Sequence, residues 1–250
     1  MSASDLATQA EQLRALHVPG SPLLLANAWD PPSARRLAHD GYPAIATTSG
    51  GVAEALGYED GNVTPPDEML AAVARIAAVV DVPVSADLEA GYGLGPSDLV
   101  AGMLRAGAVG LNFEDSDHEA GGLVDAESQA ERLAAIKQAG RDAGVDVVLN
   151  ARVDVFLRGG ELDEAVRRGR LYAQAGADCI YPIAVRGRDA IGRLVEQVGA
   201  PLNVLVMPDG PELEELAELG VARASFGTGL LHVAMEAAAR HAADYAAGRR

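Results

Sequence analysis

The chain has 250 residues, 49% of them apolar, with a formal net charge of −16. That length suits one large domain with a full core, and the apolar fraction excludes a disordered chain. So acidic a chain repels phosphate backbones and anionic bilayers, which sets nucleic acid aside, and no run of about 18 apolar residues is present to span a membrane.

The opening stretch MSASDLATQAEQLRALHVPG is amphipathic and acidic. It lacks the basic-then-apolar order of a signal peptide, so it predicts a helix below or beside the core. From there the chain repeats one unit: a helix-like segment, a Gly, a short apolar run and a polar end. HDGYPAIATTSG, RAGAVGLNFED, QAGADCIYPIA and ELGVARASFGT are examples. The Gly suits a helix C′ position, and the apolar run suits a parallel strand buried on both faces.

Eight such runs follow in order: LLLANAWD from 23, AIATTSG from 44, VPVSADLE from 82, AVGLNFED from 108, VDVVLNARVD from 145, CIYPIAV from 179, LNVLVMPD from 202 and ARASFGTG from 222. Helical stretches at 66–80, 126–143, 161–175 and 229–247 lie between and after them. Ser97, Asp125 and Asp163 fall where helix caps or first turns belong. Eight alternations predict an α/β fold, a (β/α)8 TIM barrel with an extra N-terminal helix, as a single domain over 1–250. The lone cysteine, Cys179, forms no disulfide within the chain and reads as a small buried hydrophobe, in keeping with a reducing cytoplasm.

In such a barrel the active site lies at the C-terminal ends of the strands. The third run ends in Asp87 and Glu89 and the fourth in Glu114, three carboxylates on one side of the mouth. Acids so close repel one another unless a cation neutralises them, and hard oxygen donors suit Mg2+ or Mn2+. The alternative is salt bridging across the barrel, for example to Arg152. Ser49, Gly50 and Gly51 form a small-residue turn whose backbone N–H groups could approach an oxyanion. Arg152 ends an apolar strand and needs an anionic partner, either Glu114 or a bound carboxylate. Trp29 and Tyr181, at the ends of the first and sixth runs, complete the candidate substrate contacts. His17, His39, His232 and His241 read as helix or surface residues, and only His118 is placed to reach the mouth. GYGLG (91–95) lacks the spacing of a dinucleotide fingerprint.

Together TTSGGVAEALGYED, SADLEAGYG, GLNFED and NARVDVF, in that order and spacing, resemble the isocitrate lyase/phosphoenolpyruvate mutase superfamily over about residues 20–245. The resemblance implies a Mg2+-dependent barrel that makes or breaks C–C or P–C bonds beside a 2-oxo acid through an enolate-like species. It implies Asp87 as direct metal ligand, with Asp60, Glu89 and Glu114 holding the metal mostly through water. Ser49, Gly50 and Gly51 would cradle the carboxylate and 2-oxo oxygen, and Arg152 would bind the oxo acid. Glu114, Arg152 and His118 are the candidate catalytic groups.

The chain departs from the family pattern in its loop after the fourth strand. DSDHEAGGLVDAES lacks the lyases' Lys-Lys/Arg-Cys-Gly-His signature, so the usual acid/base Cys is missing. Ile183 stands where the mutases carry His and the lyases Glu, and Leu205 and Met207 stand near polar positions of the lyases. The expected activity is C–C cleavage of a 2-oxo or 2-hydroxy carboxylic acid, isocitrate/methylisocitrate lyase-like or oxaloacetate decarboxylase-like. The alternatives are a P–C mutase or hydrolase acting on a phosphonopyruvate, and a non-catalytic 2-oxo acid binding protein. The family pattern also implies a homo-oligomer, tetramer or dimer, whose C-terminal helix packs on a neighbouring subunit. The same helix could instead close its own barrel.

Overall fold

Each of the eight apolar runs is too short and too buried to stand alone, and side by side they satisfy one another's backbone. In the computed structural model, which describes residues 2–249, they form strands β1 (Leu23–Ala28), β2 (Ile45–Thr47), β3 (Val84–Asp87), β4 (Gly110–Glu114), β5 (Val148–Val153), β6 (Cys179–Pro182), β7 (Asn203–Leu205) and β8 (Arg223–Ser225). Neighbours pair in parallel in chain order, and β8 returns to pair with β1. A parallel bridge between Ile180 and Leu202 closes the ring between β6 and β7. The fold is therefore a (β/α)8 barrel, as the sequence predicts.

Gly41, Gly107, Gly176 and Gly220, the glycines of the repeat, take left-handed backbones between helix and strand (φ 92°, 86°, 100° and 87°). Only Gly adopts that conformation without strain, so these residues end each helix and turn the chain into the next strand. The register then sets the rim: Asp87 lies beside Asn112, and Glu114 beside Arg152.

The helix α1 (Ala3–Ala15) covers the bottom of the barrel. Its Leu13 is fully buried, and a Cβ on Gly110 would stand only 2.7 Å from Leu13 Cδ2. Arg14 donates from Nε to Asp178 Oδ1 at 2.8 Å and from Nη2 to the Asp146 carbonyl at 2.6 Å. His17 is a correction to the sequence reading, because it is buried under the barrel rather than at the surface. The turn after α1 folds it inward, with Nδ1 2.8 Å from the Leu13 carbonyl oxygen, while Nε2 has no partner. Burial, helped by the nearby Arg223 guanidinium, lowers its pKa to about 4. Cys179 is buried and free, and burial pushes its thiol up to about 12.

The last helix, α10 (Gly229–Ala246), buries only Leu231. Its first turn packs on the barrel, and beyond it the helix is exposed, with Val233 and Met235 62% and 59% exposed. Among the described residues no helix is long and apolar enough to cross a membrane.

Candidate active site

The C-terminal ends of the strands open onto a cavity of about 320 Å³. Ser49, Asp60, Asp87, Asn112, Arg152 and Tyr181 form its polar side, and Ile183, Leu205, Val206 and Phe226 line the other side.

Asp87 is the last residue of β3, and its backbone N–H donates to Thr47 Oγ1 at 2.9 Å across the sheet. Its Oδ2 accepts from Ser49 N at 3.2 Å and Ser49 Oγ at 3.0 Å. Its Oδ1 is buried with no hydrogen-bond partner.

Ser49, Gly50 and Gly51 form the first turn of helix α3 (Ser49–Leu56) rather than the simple turn that small residues suggest. Thr48 has an extended backbone and caps the helix, its Oγ1 accepting from Gly51 N at 3.4 Å. The positive end of the helix therefore faces the carboxylates. Gly50 is there for space: a Cβ would stand 2.9 Å from Thr228 Oγ1 and 3.0 Å from Asp60 Oδ2. Asp60, on the loop after α3, accepts from Ser49 Oγ at 3.4 Å. Burial, and then the charge of Asp87, raises its pKa.

Glu89 follows β3 with a left-handed backbone, φ 47°, rare for a side chain of this kind. Its Oε2 accepts from the backbone N–H groups of Gly61 and Asn62, and its Oε1 from the Tyr92 hydroxyl at 3.0 Å. Glu89 thus ties the Asp60 loop to the end of β3. Burial raises its pKa to about 7, with Asp60, Asp87 and Glu114 adding repulsion.

Glu114 bonds His118 Nε2 through Oε1 at 2.6 Å and meets Arg152 Nη1 through Oε2 at 2.6 Å. Burial raises the Glu114 pKa, against the pull of Arg152 and His118. The bond to Glu114 in turn raises the His118 pKa, against its partial burial. Arg152 also forks onto Asp154, Nε to Oδ1 at 2.6 Å and Nη2 to Oδ2 at 2.7 Å. Burial alone would lower the Arg152 pKa, but Asp154 and Glu114 hold it well above its ordinary value.

The donor set fits a divalent cation. Asp87 offers an unpartnered buried oxygen, and Asp60, Glu89 and Glu114 all have raised pKa values that a cation would relieve. A second grouping lies beside it, since Glu89, Glu114 and His118 each offer one atom within 4.8 Å of the others.

The predicted residues thus fall into two sets. Ser49, Asp60, Asp87, Arg152 and Tyr181 share the cavity, while Glu89, Glu114 and His118 stand behind its polar wall. Three are in neither: Gly50 and Gly51 do not line the cavity, the Gly51 N–H being taken by Thr48 Oγ1, and Trp29 lines a separate hollow with Pro32, Leu37 and Leu230. Two residues went unassigned in the sequence. Asp154 is fully buried and orients Arg152, a role signalled by their spacing of two, which puts both side chains on one face of an extended chain. Asn112 lines the cavity with its Oδ1 held by Asn150 Nδ2 at 2.7 Å and Arg223 Nη2 at 3.2 Å.

The chain has known relatives of this geometry. The sequence model of the phosphoenolpyruvate phosphomutase family matches residues 13–246. An uncharacterised Mycobacterium tuberculosis protein is 35% identical over 91% of this chain and 86% of its own length. Escherichia coli 2-methylisocitrate lyase is 30% identical over 80% of this chain and 72% of its own. The crystal structure of a Burkholderia cenocepacia protein, provisionally assigned as a phosphonomutase, superposes with a TM-score of 0.89. It is 41% identical, covering 94% of this chain and 98% of that one.

Proposed function

This chain belongs to the phosphoenolpyruvate phosphomutase family, within the isocitrate lyase/phosphoenolpyruvate mutase superfamily, and from that premise we propose that it is a divalent-metal-dependent carbon–carbon lyase. Its substrate is a small 2-oxo or 2-hydroxy carboxylic acid, cleaved through an enolate-like intermediate. The observation that carries this reading is Asp87 Oδ1, a buried, unpartnered carboxylate oxygen in the same cavity as Arg152. A carboxylate left in that state suits a cation, and a cation beside a fixed guanidinium suits an oxo acid.

Asp87 is the direct ligand of Mg2+ or Mn2+ in this reading, with Asp60, Glu89 and Glu114 around it. When bound, the metal supplies Lewis-acid stabilisation of negative charge on the oxygen next to the reacting carbon. Arg152, fixed by Asp154, binds the substrate carboxylate. The N-terminal turn of α3 carries the positive end of a helix and faces the oxygen on which enolate charge develops. With a 2-oxo acid the bonding electron pair stays on the oxo-acid fragment as its enolate. With a 2-hydroxy acid the hydroxyl gives up its proton, its carbon becomes the oxo group, and the pair stays on the other fragment. In each case the fragment that keeps the pair takes up one proton. His118 is the proton carrier of this reading, because Glu114 favours its protonated form. Tyr181, 3% exposed at the cavity wall, positions the substrate.

The test is a panel of 2-oxo, 2-hydroxy-tricarboxylic and phosphono acids, read by substrate loss and by release of pyruvate or glyoxylate. Metal-dependent release from a 2-oxo or 2-hydroxy acid is expected. Binding of oxalate with no turnover of any member would favour the binding protein instead, and turnover of the phosphono acids alone would favour P–C chemistry.

The enzyme is also proposed to be a homo-oligomer, tetramer or dimer, with α10 packed on a neighbouring subunit. Support comes from Val233 and Met235, large apolar residues on a helix whose own barrel covers only Leu231. Light scattering on wild type and on Val233→Asp/Met235→Asp tests this: the variant should be smaller than the wild type.

A further inference from the structure

The two sides of the cavity differ in kind. Its polar side carries two carboxylates, Asp60 and Asp87, and one cation, Arg152, already engaged by Asp154 and Glu114. A divalent cation held by Asp60 and Asp87 would favour an anionic head group beside Arg152, on this side of the cavity.

The opposite side carries no cationic side chain. Ile183 follows β6, Leu205 ends β7, Val206 comes next, and Phe226 follows β8; all four are half-buried around the cavity. Of the polar residues beside them, Asn27 is held by backbone groups and the Thr48 and Thr228 hydroxyls by one another. Asn27 donates from Nδ2 to the Thr47 carbonyl at 2.8 Å, and its Oδ1 accepts from Phe226 N at 2.8 Å and Gly227 N at 3.1 Å. Thr48 and Thr228 share a hydroxyl–hydroxyl bond of 3.0 Å. The nearest loop cation of β6, Arg186, is exposed and paired with Asp209 at 2.6 Å, outside the cavity lining.

From this asymmetry we infer that Ile183, Leu205 and Phe226 select the substrate: it is a monocarboxylic 2-oxo or 2-hydroxy acid whose remaining part is short, uncharged and apolar. The inference rests on the functional reading above and narrows its substrate class. An anionic tail would lose water against an apolar wall and gain no cation there. An alkyl tail gains about fourfold in affinity per methylene it buries. A cavity of about 320 Å³ is at the small end for ligand sites, which limits the tail to a few carbons.

The test is calorimetric titration of wild type, in excess Mg2+, with the matched pair 2-oxopentanoate and 2-oxopentanedioate. These differ only in a terminal methyl against a terminal carboxylate. 3-Phosphonopyruvate extends the comparison, and oxalate serves as a control for the metal-bound head. The expected result is that 2-oxopentanoate binds at least about tenfold more tightly than the dianion or the phosphonate. Leu205→Lys and Ile183→Lys should each shift the ratio of the two affinities towards the dianion. Equal or tighter binding of the dianion by wild type, with oxalate bound normally, overturns the selectivity and leaves the metal site intact. Failure of oxalate itself to bind removes the functional reading and this inference together.

Discussion

Arg152 is gripped by a residue two positions further along its own chain: both oxygens of Asp154 lie within 2.7 Å of its Nε and Nη2. Asp154 is itself locked, accepting from Ser116 Oγ at 2.6 Å, while its backbone N–H donates to Asp115 Oδ1 at 2.8 Å. The guanidinium is thus aimed before any ligand arrives, and Nη1 is left to meet Glu114.

Asp154→Asn keeps the shape and removes the charge. It should lower kcat/KM by about 10–100-fold, as the loss of a residue that orients a ligand-binding group does. Urea unfolding should show a loss of about 1–3 kcal/mol, because Arg152 remains buried with one fewer charged acceptor. An unchanged kcat/KM would mean that Arg152 is aimed by something other than Asp154.

His118→Ala should lower kcat by about 10²–10⁴-fold with KM little altered, the range for loss of a general acid or base. His118 bonds Glu114 but does not line the cavity, so the kinetics decide whether its proton reaches the substrate. A normal rate would remove it from the reaction and turn attention to Tyr181→Phe.

Gly50→Ala introduces a Cβ between Thr228 and Asp60. The Thr228 hydroxyl and the Asp60 carboxylate must then give way. The expected result is Mn2+ affinity weakened about 10–100-fold, measured by titration, with the fold retained. Wild-type affinity would show that metal binding does not depend on the close approach of Gly50 to Asp60.

His17 sets an acid limit on stability. Its pKa falls from 6.5 to about 4 on folding, chiefly through burial. Between those values the unfolded chain binds the proton and the folded chain does not. Its contribution is therefore fully present above pH 6.5 and is lost as the pH falls towards 4, roughly 3 kcal/mol in all. His17→Asn should flatten unfolding free energy against pH over that window. An equally steep curve in the variant would place the acid sensitivity elsewhere.

The barrel was legible because most strands are short apolar runs preceded by a Gly that ends a helix, as Gly107 precedes Val109 and Gly176 precedes Cys179. The carboxylates were legible because they fall directly after such runs. What depends on the third dimension was not. Ser49, Gly50 and Gly51 are weak helix formers, and only the Thr48 cap and the space against Asp60 make them a first turn. His17 follows an amphipathic helix and reads as exposed, until that helix is seen to cover the barrel. Trp29 directly follows β1, yet it lines a different hollow, a direction that strand position alone does not fix. Arg223 opens β8 in a run that reads as apolar, and it is fully buried with Nε and Nη1 unpartnered.

In the proposed function Asp87 holds the cation that drives C–C cleavage in this cavity. That role is tested most directly by titrating Mg2+ against pyruvate or glyoxylate release from the best panel substrate, with wild type and Asp87→Ala side by side. Saturable Mg2+ dependence in wild type, and a fall of at least about 100-fold in Asp87→Ala at every Mg2+ concentration, is the predicted result. Release that persists in excess EDTA, or an Asp87→Ala enzyme with the wild-type Mg2+ response, would contradict it.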